Sequence, residues 1–308
     1  MTPLRRALTD YLTVRRALGF KLQRPEKLLR QFLTYVEQRG ETQLRLPTMV
    51  AWATQSGPDQ SGWPAYRLAA VRPFARHLQA IDPATEVPAA DLLPRRYGRA
   101  TPYLYADDEV SGLLRATAML RGGHRVATYH TLIGLLVATG MRVGEALALD
   151  REDINGPEGV LTIRHTKFGK WRELPVQTST VAALRRYLQR NDRPQTARQT
   201  TAVFVSRAGT RLRYCNVHWT FHRLVHQAGL TPRSAICRPR IHDLRHRFAV
   251  CTLLDAYRTG AHPQTRLHVL STYLGHVDPV HTYWYLSAAP ELLHLAGDRL
   301  EHDLGGGL

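Results

Sequence analysis

The sequence predicts a mainly α-helical protein of two domains with one small β-hairpin. Three observations support this fold class. Apolar residues recur at helical spacing through most of the chain, one stretch alternates and is rich in β-branched residues, and residues 82–102 carry four prolines without a sustained period. With 308 residues and 44% hydrophobic content, the chain is long enough to bury two modest cores.

The first domain, residues 1–100, is predicted to be all-α. Leu4, Leu8, Tyr11 and Leu12 begin one apolar stripe, and a second runs from Leu28 to Val36 before Gly40. A third helix carries Val50, Trp52 and Ala53, and a fourth follows Pro64. The proline-containing connection then places the domain boundary near residue 100, with the second domain at residues 101–308.

The second domain is predicted to be helical around one hairpin. Asp107, Asp108 and Glu109 suit a first helical turn, where acidic groups favour the positive end of the helix dipole. TLIGLLVATG is apolar on all sides and predicts a buried helix, whereas GVLTIRHTKFGKWRELPV alternates around a turn-like KFGK. Four further helices are expected in STVAALRRYLQR, VHWTFHRLVHQAGL, HDLRHRFAVCTLL and PELLHLAGDRLEH.

The charge of the chain points to a polyanionic partner. Lys and Arg number 42 against 25 Asp and Glu, a formal net charge of +17. Nucleic acid is preferred to an acidic membrane surface, because there is no run of about 18 apolar residues and no Lys-rich amphipathic helix. The excess is mostly Arg, whose planar fork of donors matches two phosphate oxygens at once.

Cysteine usage and the N-terminus favour a cytoplasmic protein. The three cysteines are odd in number and lack a Cys-x-x-Cys spacing, so they indicate neither a disulfide framework nor a zinc site. The first twenty residues break their apolar stretches every few positions and lack the core of a secretory signal. We therefore expect reduced thiols, no membrane association and no bound metal.

Two arginine-containing segments are suited to handling a phosphodiester. In ATGMRVGEALAL, Arg142 follows Gly140, and Glu145 could orient it across one helical turn; an exposed arginine at a helix start is the alternative. In IHDLRHRF, His242 and Arg245 are three apart and share one helix face. A metal site on His242 and His246 is set aside, because no third ligand follows at a familiar spacing.

Three further candidates lie in short motifs. Lys167 begins the hairpin turn, with Lys170 as its rival and a solvated turn lysine as the alternative. His276 follows a glycine that would end the preceding helix, although a structural histidine is equally compatible. Tyr285 comes nine residues later, with Tyr283 nearby.

Taken together, these segments resemble the catalytic domain of the tyrosine recombinases, the phage-integrase and Xer-like family. The order and spacing match from about residue 130 to 290, and ATGMRVGEALAL is very close to the first box of that family. The gap between LGH and the tyrosine selects Tyr285 over Tyr283. The resemblance implies a two-domain DNA clamp, with an integrase-like catalytic domain behind a helical core-DNA-binding, SAM-like domain.

The resemblance also implies a catalytic set and a reaction. Its members would be Arg142, Lys167, His242, Arg245, His276 and Tyr285. Tyr285 would attack phosphorus to form a 3′-phosphotyrosyl link while the arginines and His276 stabilise the phosphate oxygens. Lys167 would protonate the leaving 5′-oxygen and His242 would assist deprotonation of Tyr285. No cofactor is expected.

The expected partners are double-stranded recombination sites, on which relatives assemble as homo- or hetero-tetramers, and other recombinases. The YWYLSAAPELL ending resembles recombinases of transposon-like elements that encode several such proteins. The amphipathic C-terminal segment would dock on a neighbouring protomer or pack on its own domain. Two other functions stay open, a type IB topoisomerase and a non-catalytic or accessory DNA-binding protein.

Overall fold

The computed structural model describes residues 2–55, 62–94, 100–164, 171–259 and 263–275. The chain divides into two compact units, Met1–Ala100 and Thr101–Leu308. The described residues are mainly helical, with one small antiparallel sheet in the second unit. Within these residues no helix combines the length and the low polarity that a membrane span requires.

Among the described residues of the first unit, four helices lie in the segments where the apolar spacing predicts them. They are α1 (Pro3–Ala17), α2 (Gln23–Gln38), α3 (Leu46–Thr54) and α4 (Trp63–Gln79). The Thr2 hydroxyl caps α1 by accepting from the backbone N–H of Arg5, which satisfies one of the free donors at a helix start. Phe32, Trp52 and Phe74 are fully buried where α2, α3 and α4 meet.

Seven helices are described in the second unit. They are α5 (Asp107–Ala116), α6 (Gly123–Thr139), α7 (Val143–Ala148), α8 (Thr178–Leu188), α9 (Tyr214–Gln227), α10 (Asp243–Arg258) and α11 (Pro263–Leu274). Helix α6 contains TLIGLLVATG and is central, since α8 and α10 both pack against it. Leu132, Ile133 and Leu136 are buried there, so the prediction of a buried helix is confirmed.

The sheet has three antiparallel strands in the order β1 (Ile154–Asn155), β2 (Val160–Ile163) and β3 (Arg172–Pro175). Strands β2 and β3 form the predicted hairpin, with Leu161 opposite Leu174 and Ile163 opposite Arg172. Because side chains alternate along a strand, Arg172 shares a face with the fully buried Leu174. The turn itself, residues 165–170, lies outside the described residues.

The two-residue strand β1 was not predicted from the sequence, and of the six-residue helix α7 only the turn from Arg142 to Glu145 was expected. Both are too short for a periodic pattern to reveal them. The predicted helix in PELLHLAGDRLEH lies outside the described residues, and the three cysteines, all described, are free.

Candidate active site

The backbone at Gly140 sets the position of Arg142. Helix α6 ends there because Gly140 adopts φ +59°, a left-handed conformation that favours glycine. A Cβ at this position would collide with the ring of Phe248 on α10, so a larger residue would force a neighbouring group to shift. The chain thus turns sharply against α10 and presents Arg142 as the residue before α7.

Glu145 holds Arg142 as its spacing predicts. Its carboxylate accepts from the backbone N–H of Arg142 at 3.0 Å and from Arg142 Nη1 at 2.9 Å. The Glu145 side chain is only 9% exposed, whereas that of Arg142 is 40% exposed. The guanidinium of Arg142 therefore has one side fixed by the protein and remains accessible to a ligand.

A second arginine, Arg172, binds the same carboxylate. Arg172 Nη1 donates to Glu145 Oε1 at 3.1 Å and Nη2 donates to Oε2 at 2.9 Å, a two-point fork. Burial by itself would raise the pKa of Glu145, but the hydrogen bonds and charges of Arg172 and Arg142 outweigh it and hold that pKa below its ordinary value. Glu145 is an ionised carboxylate between two guanidiniums.

Sequence reasoning did not identify Arg172. The available signal was its position on β3, two residues before the apolar Leu174 and so on the same face. A charged residue on the buried face of a strand needs a partner. That partner, Glu145, lies 27 residues earlier in the chain, and nothing in the local pattern connects the two.

Arg245 lies deep in the second unit and bridges two helix ends. Only 2% of it is exposed. Its Nη1 donates to the carbonyl of Gly140 at 3.0 Å, and its Nη2 donates to the carbonyl of Leu274 at 2.7 Å. This geometry joins the C-terminal end of α6 to that of α11, where unpaired carbonyls need donors.

Three arginines meet three successive carbonyls at the end of α11. Arg172 Nε donates to Tyr273 O at 3.1 Å, Arg245 Nη2 to Leu274 O, and Arg142 Nη2 to Gly275 O at 3.3 Å. These carbonyls form the negative end of the helix dipole, which cations stabilise. The structure therefore brings together Arg142 and Arg245, which the sequence predicted, with Arg172, which it did not.

His242 lies directly before α10 and is exposed. Its ring is perpendicular to that of His246, with 5.0 Å between the ring centroids. His246 is buried, and its Nε2 lies 3.9 Å from Asp243 Oδ1. Across the described ranges, no group of three or more His, Cys, Asp or Glu side chains is arranged to hold a metal ion.

The other predicted site residues fall in segments beyond the described ranges. Lys167 and its rival Lys170 lie outside the described residues, as do His276, Tyr283 and Tyr285. Their described neighbours in the sequence are Arg164, Trp171 and Gly275. Gly275 directly precedes His276 and accepts from Arg142, so the described cluster includes the residue that leads into His276.

Two cavities of the second unit are lined by other residues. One, of about 630 Å³, lies between α6 and α8 and is bordered by His130, Leu184 and Arg190. Another, of about 420 Å³, lies beside α9 and is bordered by Arg125 and Trp219. Neither cavity is lined by Arg142, Arg172 or Arg245.

Comparison with known proteins finds relatives along most of the chain. Residues 105–291 match the phage integrase family. The integrase/recombinase y4rB of Sinorhizobium fredii is 41% identical over 308 residues, covering 98% of this chain and 98% of its own length. Tyrosine recombinase XerD of Mycobacterium tuberculosis is 30% identical over 294 residues, covering 90% of each chain.

A solved structure shares the fold. The Tn1549 transposon integrase, in complex with transposon right end DNA, superimposes with a TM-score of 0.65 at 16% identity and covers 98% of this chain and 99% of that one. At this identity the likeness concerns the fold alone.

Proposed function

Because the chain belongs to the phage integrase family, as its sequence motifs predict, we propose that it is a site-specific DNA recombinase. It would cleave and rejoin DNA strands through a 3′-phosphotyrosyl link made by Tyr285. One observation carries this proposal: Arg142 and Arg245, far apart in the sequence, donate to adjacent carbonyls, those of Gly275 and Leu274. Both guanidiniums thus border the segment that continues into His276.

The two arginines would stabilise the phosphate that is attacked. Phosphodiesters resist attack, so an enzyme must neutralise the non-bridging oxygens as charge develops on them. An arginine carries five N–H donors in a planar fork that pairs with two oxygens. Arg142 is held on one side by Glu145 while its side chain is 40% exposed, which leaves donors for an incoming phosphate. Arg245, which is buried, would donate to the phosphate from the protein side, and His276 would add a third donor.

Nucleophile, acid and base would come from the remaining members of the set. Tyr285 would attack phosphorus and form the O–P bond, and the 5′-oxygen of the departing strand would leave with a proton from Lys167. His242, exposed before α10, would assist removal of the Tyr285 proton, because a tyrosine of ordinary pKa near 10 is mostly neutral. Rejoining reverses the step, so bond energy is conserved without a nucleotide cofactor.

The biological setting is proposed from the relatives and from the charge. The chain has a net charge of +17, which suits a duplex DNA partner. Several relatives are named integrases, and the Tn1549 protein is a transposon integrase. We infer a cytoplasmic recombinase of a mobile element that assembles as a tetramer on paired DNA sites, with copies of itself or with partner recombinases.

The test is formation of a covalent adduct. The protein is mixed in EDTA with nicked duplexes from the ends of its genetic element, and denaturing gels are used to look for a protein–DNA adduct. We expect an adduct with the wild type and with the control Tyr283→Phe, and none with Tyr285→Phe. An adduct that persists in Tyr285→Phe would move the nucleophile elsewhere. Tight binding with no wild-type adduct would favour an accessory DNA-binding role, and relaxation of arbitrary plasmids would favour a type IB topoisomerase.

A further inference from the structure

Arg172 stands outside the predicted catalytic set but contacts the same structural elements. Its guanidinium reaches Glu145 on α7 and the carbonyl of Tyr273 on α11, and its backbone belongs to β3. We propose that Arg172 is a positioning residue, which fixes Glu145 and the end of α11 and thereby orients Arg142 for strand cleavage. This inference rests on the proposed function.

Arg172 first acts on Arg142 through the carboxylate that they share. Glu145 Oε1 accepts from Arg142 Nη1 at 2.9 Å and from Arg172 Nη1 at 3.1 Å, while Oε2 accepts from Arg172 Nη2 at 2.9 Å. The orientation of Arg142 therefore depends on where Glu145 lies, and Arg172 sets that with two bonds. With side-chain exposures of 14% for Arg172 and 9% for Glu145, water cannot readily replace the fork.

Arg172 also acts on Arg142 through the end of α11. Arg172 Nε donates to Tyr273 O, while Arg142 donates to Gly275 O two residues later. A Cβ at Gly275 would lie 2.7 Å from Arg172 Nη1, so the backbone passes directly against this guanidinium. Gly275 also has φ +68°, a conformation that favours glycine. Arg172 thus supports Arg142 from both of its anchoring points.

The conservative variant Arg172→Lys isolates this role. A lysine keeps the positive charge, but its single ammonium cannot span both carboxylate oxygens and the Tyr273 carbonyl. We expect the variant to bind DNA with an affinity within about twofold of the wild type, since the positive charge is retained and the Arg172 side chain is only 14% exposed. Strand cleavage should slow by about 10- to 100-fold, the usual cost of misplacing a group by a fraction of an ångström to one ångström.

The first measurement compares single-turnover rates of adduct formation on nicked duplexes. The variants are Arg172→Lys, Glu145→Gln and the double mutant, with Arg190→Lys as the matched control. Arg190 makes a similar fork, Nε and Nη2 to the two oxygens of Asp192, but at an exposed site. If Arg172 acts through Glu145, the double mutant is about as slow as the slower single variant. Wild-type cleavage by Arg172→Lys, or single defects that multiply, would overturn the proposal.

A second measurement decides the same question without cleavage. In a crystal structure of Arg172→Lys, we expect Arg142 to lose its bond to Glu145 Oε1 or to the Gly275 carbonyl. Retention of both at their wild-type lengths would overturn the positioning role, whether or not the wild type forms an adduct. Conversely, a wild type that forms no adduct would refute the proposed function, while a displaced Arg142 would still support the role of Arg172 in holding it.

Discussion

Glu145→Gln tests the ionised carboxylate at the centre of the arginine cluster. The substitution keeps the shape of the side chain but replaces one oxygen with an NH₂ group. Each carboxylate oxygen accepts two bonds: Oε1 from Arg142 Nη1 and Arg172 Nη1, and Oε2 from the Arg142 backbone N–H and Arg172 Nη2. Whichever oxygen is replaced, two donors then face a donor.

The size of the effect follows from these contacts. A buried donor left without an acceptor costs about 1–3 kcal/mol. Two donors lose their acceptor in Glu145→Gln, but the Arg142 side chain is partly exposed, so water can hydrate its donors and lower their cost. We therefore expect a loss of about 3 kcal/mol in the free energy of unfolding, towards the lower end for two such donors. For a unit of this size about 1 kcal/mol corresponds to about 2–4 °C, so the Tm should fall by about 6–12 °C.

The loss should also depend on pH. The pKa of Glu145 is held below its ordinary value in the folded protein, so folding favours the ionised form. This contribution is fully present above the unfolded pKa of the carboxyl and is lost as the pH falls through the lowered folded pKa. The gap in Tm between the wild type and Glu145→Gln should therefore be largest near neutral pH and shrink on acidification.

Calorimetric melts between neutral and acidic pH provide the assay, with Asp192→Asn as the matched control. Asp192 accepts a two-point fork from Arg190, but these side chains are 41% and 39% exposed, and such pairs contribute at most about 1 kcal/mol. A Glu145→Gln melt within about 2 °C of Asp192→Asn at neutral pH would refute the reasoning. So would a gap that widened on acidification.

Three further outcomes are expected. Gly140→Ala should destabilise the protein by about 1–3 kcal/mol in urea melts, because a Cβ would collide with Phe248. The control Gly134→Ala, whose Cβ would meet nothing within 4 Å, should be neutral or stabilising. Equal urea midpoints for the two variants would contradict this prediction. Burial raises the pKa of Tyr273 to about 12, so folding favours the neutral phenol, and the stability that this contributes below pH 10 is lost as the pH rises towards 12. Tyr273→Phe should lack that alkaline loss of stability in melts at rising pH. An alkaline stability profile identical to that of the wild type would refute this prediction. Arg245→Lys should bind DNA but form little adduct, because it keeps the charge without the fork; near-wild-type cleavage would refute the role proposed for Arg245.

The sequence by itself determined most of the helices. Apolar stripes at helical spacing predicted α1 to α4, and the uniformly apolar TLIGLLVATG predicted the buried α6. The alternating segment predicted the pairing of β2 with β3. These signals are reliable because each element buries one face, and that face is written into residues only a few positions apart.

The sequence also predicted one contact of the candidate site. Glu145 follows Arg142 by three residues, so a helical turn brings the two together, and the structure shows that bond. The grouping of Arg142 with Arg245 came from the family resemblance, since no local pattern relates them. The roles of Lys167, His276 and Tyr285 stay predictions.

Only the tertiary structure decided how the arginines share their partners. Arg172 meets Glu145 across 27 residues and Tyr273 across 101, while Arg245 joins carbonyls from α6 and α11. The strand β1 and the extent of helix α7 likewise became visible only in the fold. The physical reason is the same throughout: a buried charge must find its partner in space, and the packing of α6, α10, α11 and β3 supplies it from distant parts of the chain.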